Sequence, residues 1–149
     1  MSAAEKKAID FNELDWNSPV VNYEEIDGDE VKVRSRSNYS IYSLDENKIF
    51  RATTADLEDK GMKVLENLAA SLNKRYTQGD IRIYSATYDD DKKNELAGRR
   101  ATVVRDYLIT AGQIPGNRIS FSESNENNPV GDNSRSNKEE MEIVVLSAE

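Results

Sequence analysis

Two stretches of the sequence carry apolar residues at helical spacing, and each is followed by a strand-like stretch, so few architectures are open to this chain. The first helix is expected to end near Leu72, and its inner face consists of Leu57, Gly61, Val64, Leu65, Leu68, Ala69 and Leu72. The second covers about Lys93–Ala111, and its inner face consists of Leu96, Ala97, Ala101, Val104, Leu108 and Ala111. Thr53 or Thr54 is expected to cap the first helix, and Gly112 to cap the end of the second.

Strand patterns surround both helices. Val31–Val33 and Tyr39–Leu44 alternate as a hairpin, Ile81–Ser85 follows the first helix, and a short strand around Ile119–Phe121 follows the second. The last strand, Met141–Leu146, is apolar on both faces, which predicts a central place in the sheet. The order ββ-αβ-αβ-β predicts an α/β fold, an α+β sandwich with two main helices packed on one face of a mixed sheet through right-handed crossovers.

Residues 1–28 differ from the rest of the chain because their apolar side chains follow no clean period. These side chains are Phe11, Leu14, Trp16, Val20, Val21, Tyr23 and Ile26. We interpret residues 1–28 as an N-terminal arm that packs along the domain, and residues 29–149 as the domain itself.

The composition excludes several kinds of chemistry. The chain has no cysteine and no histidine, so disulfides, thiolate nucleophiles, imidazole metal ligands and histidine-based acid–base catalysis are all ruled out. There is no Gly-x-Ser-x-Gly sequence, and the seven glycines are isolated rather than gathered into a phosphate-binding loop. We therefore expect no enzyme activity and no cofactor.

Charge and hydropathy also limit the partners. The net charge of −8 repels phosphate backbones, and the basic residues are dispersed, so nucleic-acid binding is not expected. No apolar run reaches the roughly 18 residues of a membrane span, and Met1–Asp10 lacks the apolar stretch of a secretory signal. Asp89, Asp90, Asp91 and Glu95 lack the spacing of a calcium loop, so we interpret them as the acidic start of the second helix rather than a metal site.

Arg100 is the residue with the most distinctive position. It lies on the second helix next to the apolar stripe, and Arg99 beside it must point elsewhere. A guanidinium near a strand-to-helix loop is suited to binding a ligand carboxylate bidentately. The alternative is that Arg100 forms a salt bridge with the nearby aspartates.

From Tyr42 to Leu146 the chain resembles the OmpA C-terminal domain of outer-membrane proteins, peptidoglycan-associated lipoproteins and flagellar-motor stator proteins. The second helix, with Leu96-Ala97-Gly98-Arg99-Arg100-Ala101, is similar to the family's Leu-Ser-x-x-Arg-Ala helix. Ile49-Phe50, the Glu126–Val130 segment and Glu142-Ile143 fall where the family carries its opening, its Gly-Glu-x-x-Pro loop and its Val-Glu-Ile strand. The arm also resembles a Bacteroidetes-type subgroup.

The resemblance implies noncovalent capture of peptidoglycan through the diaminopimelate of its stem peptide. The carboxylate of the ligand would be bound by Arg100, and its ammonium by the Asp of Gly-His-Thr-Asp. In this chain that motif reads Ser85-Ala86-Thr87-Tyr88, so the Asp is replaced by Tyr. Asp89, one position later, is a candidate substitute, and Asn94 is a candidate for the family's helper Asn, shifted by one position. The implied ligand-binding residues are Thr87, Tyr88, Asp89, Asn94 and Arg100.

Two functions follow from the resemblance. The first is a non-catalytic module of the periplasm or cell envelope that binds the peptidoglycan stem peptide through a divergent pocket. The second is a degenerate OmpA-like domain that serves as a scaffold for envelope proteins. The scaffold interpretation predicts an exposed apolar patch that includes Trp16 and Tyr23.

Overall fold

The computed structural model describes residues 10–26, 30–85, 90–123 and 140–147. The strands are β1 (Val20–Val21), β2 (Val31–Arg36), β3 (Tyr39–Asp45), β4 (Ile81–Ser85), β5 (Ile119–Glu123) and β6 (Glu140–Leu146). The helices are the single turn α1 (Glu46–Ile49), α2 (Asp59–Arg75) and α3 (Asp91–Thr110). Short 3-10 turns occupy Phe11–Glu13 and Gly116–Arg118.

The strands form one mixed sheet in the order β1-β2-β3-β6-β4-β5. β4 and β5 are parallel, and every other neighbouring pair is antiparallel. β6 lies between β3 and β4, as its apolar character on both faces predicts, and Met141–Leu146 are all buried. The α/β class and the mixed sheet expected from the sequence are therefore confirmed.

The first face of the sheet is covered by α2 and α3. Side chains of both helices join alternate residues of β3, β4 and β6 in one core, among them Leu65, Leu68, Val104, Ile83 and Ile143. Burial of these apolar groups is the main stabilising contribution to the fold. Every predicted inner-face residue of α2 from Gly61 to Leu72 is buried.

The second face of the sheet is covered by residues of the arm. Phe11, Leu14 and Trp16 pack against five buried residues of the sheet: Tyr39, Ile41, Tyr84, Val144 and Leu146. The ring of Trp16 meets that of Tyr84 edge-on, with centroids 5.1 Å apart. After β1 the chain reaches the edge of the first face, where Val21, Tyr23 and Ile26 contact the helix-side core. The division into an arm over 1–28 and a domain over 29–149 stays a prediction, because residues 1–9 and 27–29 lie outside the described ranges.

The predicted start of the first helix is wrong. α2 begins at Asp59, and its N-cap, Glu58, makes no side-chain capping bond. Thr54 instead stabilises a turn before the helix, where its hydroxyl accepts the N–H of Asp56 at 3.0 Å. Leu57 lies in that connection, in a bridge with Phe50. The turn competes with the helix because Thr hydroxyls bond equally well to backbone amides outside helices.

The predicted inner face and cap of the second helix also need correction. Ala111 is exposed and Leu96 is half-buried, whereas Arg100 is buried on the inner face. Gly112 is not the left-handed residue after the helix, since that conformation belongs to Gln113 with φ 59°. Gly112 is required for close packing instead: a Cβ there would lie 2.6 Å from Leu108 O and 3.0 Å from the Cβ of Ala69.

Candidate functional site

Arg100 lies on the inner face of α3 and is only 4% exposed. Its Nε donates to Thr54 O at 2.7 Å, and its Nη2 donates to Arg51 O at 3.3 Å. Its Nη1 donates to Glu46 Oε1 at 3.2 Å, in an ion pair whose side chains are 5% and 2% exposed. The guanidinium thus makes one bond to α1 and two to the connection between α1 and α2, and so fixes both to α3.

Glu46 is brought to Arg100 by the single turn α1. Asp45 begins the turn, and its side chain accepts the N–H of Asn47 at 3.1 Å. The turn packs closely on α2 at Gly61, where a Cβ would lie 2.2 Å from Ile49 O. A glycine is therefore needed at position 61 for α1, and with it Glu46, to occupy this place.

Residues 51–54 supply the two carbonyls that Arg100 binds. This segment is a tight turn, in which the N–H of Arg51 donates to Asp56 O at 2.8 Å and that of Thr54 donates to Arg51 O at 3.1 Å. Thr53 has φ 60°, a left-handed conformation that is rare for a β-branched residue. Such a conformation persists only where surrounding contacts hold it, and the bonds from Arg100 are two of those contacts.

The structure describes only two of the five predicted site residues. Thr87, Tyr88 and Asp89 lie outside the described residues. Asn94 is half-buried in the first turn of α3, six residues before Arg100. That separation corresponds to about 9 Å along a helix axis and about 120° around it. The helix by itself therefore does not place Asn94 and Arg100 on one face.

The acidic start of α3 is a helix cap, as expected. Asp90 is the N-cap, and its side chain accepts the N–H of Lys92 at 2.9 Å. Asp91 follows in the first turn, where a negative charge interacts favourably with the helix dipole. Within residues 10–26, 30–85, 90–123 and 140–147, no group of three or more acidic side chains is arranged to hold a metal ion.

Sequence reasoning missed Glu46. Arg100 was expected to bind either a ligand or an aspartate of the cluster at 89–91, and the structure pairs it with a glutamate 54 positions earlier. A break in strand alternation after Leu44 was the one local signal at this place. No sequence period links Glu46 to α3, because their proximity depends on how α1 packs against α2.

A second glutamate–arginine pair lies near the C-terminal end of α2. Glu25, from the arm, accepts bonds from Arg75 Nε at 2.6 Å and Nη2 at 3.0 Å. Its side chain is 13% exposed, and that of Arg75 is 30% exposed. The bond from Arg75 lowers the pKa of Glu25 to about 2, and a bond from Ser71 acts in the same direction. The same pairing raises the pKa of Arg75.

Within the described residues, Trp16 and Tyr23 do not form the exposed apolar patch that was predicted around them. Both side chains are half-buried: Trp16 packs on Tyr84, and the Tyr23 hydroxyl donates to Ser35 Oγ at 3.1 Å. Three large apolar side chains of the described residues are well exposed, on separate elements: Val20, Met62 and Phe121. In those residues no helix combines the length and apolar character that crossing a bilayer requires.

The sequence matches the model of the OmpA family over residues 49–142, well over half of the chain. The matched segment includes α2, α3, β4, β5 and the start of β6, together with Arg100. Among curated proteins, none matches the chain with significant similarity.

Solved structures share the fold. The periplasmic domain of MotB from Helicobacter pylori is 22% identical, with a TM-score of 0.65, over 89% of this chain and 90% of that one. The cell wall anchor of the T6SS from Pseudomonas aeruginosa is 22% identical, with a TM-score of 0.62, over 79% and 88%. An outer membrane protein from Borrelia burgdorferi B31 is 20% identical, with a TM-score of 0.58, over 78% and 97%.

Proposed function

The chain belongs to the OmpA family, and on that premise we propose that it is a non-catalytic binding module of the bacterial cell envelope, acting in the periplasm. Two proteins of similar fold support this, one a periplasmic domain and the other a cell wall anchor. The absence of histidine and cysteine from the sequence supports binding rather than catalysis.

The ligand that we propose is the peptidoglycan stem peptide, bound through its diaminopimelate. Arg100 carries this proposal, because the sequence around it resembles that of the family's carboxylate-binding arginine and its guanidinium is held rigidly by Glu46, Arg51 and Thr54. A zwitterionic amino acid requires a cation and an anion a few ångströms apart. In this proposal Asp89 supplies the anion, and Thr87, Tyr88 and Asn94 complete the pocket.

The pair between Arg100 and Glu46 imposes a condition on this binding. A ligand carboxylate must share the guanidinium with Glu46 Oε1, which is already 3.2 Å from Nη1. A ligand carboxylate that competes with an internal carboxylate gains less binding free energy than it would at a guanidinium without an internal partner. We therefore expect weaker stem-peptide binding than an arginine without an internal acid would give.

The same pair favours a second candidate function, that of a scaffold for envelope proteins. If the internal glutamate has replaced the ligand carboxylate permanently, Arg100 only stabilises the fold. The docking surface would then lie elsewhere. Phe121 on the edge strand β5 is 48% exposed and is one candidate for it.

The two functions can be separated by titrating the folded protein with the tripeptide L-Ala-γ-D-Glu-diaminopimelate while amide chemical shifts are followed. Peptidoglycan binding predicts saturable shifts at residues 90–94 and at the Arg100 Nε–H. Glu46→Gln removes the competing charge, so binding should become tighter by roughly tenfold. Asp89→Ala should abolish the shifts.

Arg99→Ala is the matched control, because Arg99 is the exposed neighbour of Arg100 on the same helix. Its affinity for the tripeptide should equal that of the unmodified protein. A flat titration for both the unmodified protein and Glu46→Gln, with dispersed shifts that show a folded domain, would reject stem-peptide binding and leave the scaffold function.

A further inference from the structure

A cavity of about 520 Å³ lies at the end of the sheet opposite Arg100. The hairpin between β2 and β3, the C-terminal end of α2, Tyr23 of the arm and Ser147 surround it. β3 runs from Tyr39 beside the hairpin to Asp45 beside α1, and seven residues of strand span roughly 20 Å. The cavity is therefore separate from the region around Arg100.

The lining of this cavity is polar. It contains the hydroxyls of Tyr23, Ser35, Ser37 and Tyr76 and the amide of Gln78. Two arginines, at positions 36 and 75, also line it. None of the described lining residues is acidic, although the whole chain has 28 acidic and 20 basic residues.

Internal hydrogen bonds hold the floor of the cavity in place. The hydroxyl of Ser40 lies 2.8 Å from that of Tyr23 and 2.8 Å from that of Tyr76, and Ser40 is fully buried. Ser35 joins this chain of hydroxyls at 3.1 Å from Tyr23 and 3.2 Å from Ser40. The Ser35 hydroxyl donates its own proton to Tyr39 O at 3.1 Å. The bonds of Ser40 to Tyr23 and Tyr76 can run in either direction, so these hydroxyls can adapt to a ligand without moving their atoms.

The rim of the cavity is also fixed. Arg118 donates to Gly79 O at 2.8 Å, to Tyr76 O at 3.1 Å and to Thr77 O at 3.4 Å, and so holds the loop after α2. On the other side, the N–H of Ser147 donates to Asn38 O at 2.9 Å and holds the end of β6 against the hairpin. A cavity formed before its ligand arrives avoids the cost of ordering its walls on binding.

Both arginines of the lining carry balancing charges. Arg75 is paired with Glu25, and Arg36 donates to Asp15 at 2.7 Å. The guanidinium of Arg75 also lies over the ring of Tyr23, 3.6 Å from its centroid. The cavity therefore offers planar N–H donors with little net positive charge, which favours a neutral hydroxylated ligand over an anion.

We propose that this cavity binds a saccharide, whose hydroxyls exchange hydrogen bonds with the side chains of Ser37, Tyr76 and Gln78. Sugar hydroxyls both donate and accept, and the lining combines bifunctional hydroxyls with amide and guanidinium donors that match them. The volume is large enough for one or two sugar rings. This site does not depend on stem-peptide binding at Arg100, and either one can fail without the other.

The test is a titration of the full chain with the amino-sugar disaccharide N,N′-diacetylchitobiose, followed by amide chemical shifts. We expect saturable shifts at Ser37, Thr77, Gln78 and Ser147, with a Kd of about 1 mM. The double variant Ser37→Ala, Gln78→Ala should weaken binding roughly fivefold or more, since it removes two hydrogen-bonding groups. Both positions are exposed, so the fold should be unaffected.

Thr102→Ala, which removes an exposed hydroxyl from α3 far from the cavity, is the control and should bind the disaccharide like the unmodified protein. The proposal is overturned if no shift saturates up to about 50 mM disaccharide, or if the double variant binds with undiminished affinity. Saturable binding of citrate in the cavity without binding of the disaccharide would also overturn it, because the ligand class would then be an anion.

Discussion

The two glutamate–arginine pairs of this domain have the same chemistry and different surroundings. Glu46 and Arg100 are almost completely buried, with side chains 2% and 5% exposed, and they join α1 to α3 across the helix-side core. Glu25 and Arg75 lie at the surface end of α2, 13% and 30% exposed, and they join the arm to the domain.

This difference indicates what each pair does. A buried ion pair contributes little net stability compared with apolar residues, but removing one partner leaves a desolvated charge and is strongly destabilising. A partly exposed pair loses less on removal, because water solvates the remaining charge. The inner pair, Glu46 and Arg100, therefore restricts how α1 and α3 can pack together. The outer pair, Glu25 and Arg75, modestly stabilises the contact between the arm and α2.

The largest expected effect is that of Arg100→Ala. This substitution removes three hydrogen bonds and leaves the buried Glu46 carboxylate without this guanidinium, so the free energy of unfolding should fall by about 3–5 kcal/mol. Urea denaturation measures the change. Arg99→Ala, at the exposed neighbour, should alter stability by no more than about 0.5 kcal/mol. An equal fall in the free energy of unfolding for the two variants would show that breaking this buried pair is no more destabilising than removing an exposed arginine.

Glu25→Gln should have a smaller effect. The substitution removes the charge from a bidentate, partly buried pair, and we expect a loss of about 1–2 kcal/mol at neutral pH. Glu24→Gln is the matched control, since Glu24 is 83% exposed and lies 3.5 Å from Lys74. Its effect should be within about 0.5 kcal/mol. A loss for Glu25→Gln as large as that for Arg100→Ala would contradict the distinction between the two pairs.

Acid should weaken the outer pair in a defined range of pH. The pKa of Glu25 is about 2 in the folded chain and 4.5 in its ordinary state, so its charge stabilises the fold fully above about pH 4.5. This contribution declines as the pH falls from 4.5 towards 2, because the carboxyl is protonated in the unfolded chain first and in the folded chain only near pH 2. Between pH 5 and 3 the stability difference between the unmodified protein and Glu25→Gln should shrink by about 1 kcal/mol. A difference that stays constant down to pH 2 would show that the pairing with Arg75 does not govern this carboxyl.

The central strand and the helix faces could be predicted from sequence because their signals are local. β6 is apolar on both sides, with Val144 and Leu146 on one and Met141 and Ile143 on the other. Both faces of the sheet must therefore be covered. The sequence predicted an arm packed along the domain but not which face it covers, because Phe11, Leu14 and Trp16 follow no period. Their place is settled by contact with Tyr39, Tyr84 and their neighbours.

The candidate site could be predicted only in part. Arg100 was identified from its place beside the apolar stripe, and its neighbour Arg99 is indeed exposed. The sequence did not identify the partners of Arg100, which are Glu46, Arg51 and Thr54. Hydrogen-bonding groups about 50 positions apart in sequence leave no periodic signal. The cavity at the other end of the sheet was not predicted either, since four separate segments meet there.

Residue types and spacing thus determined the α/β class, the central place of β6 and the buried face of α2. These properties depend on single residues and on neighbours within one or two turns of chain. Tertiary structure alone decided that Arg100 is paired with an internal glutamate and that the arm covers the second face. Both depend on the packing of distant segments, in which a close contact such as that of Gly61 with Ile49 determines which charges meet.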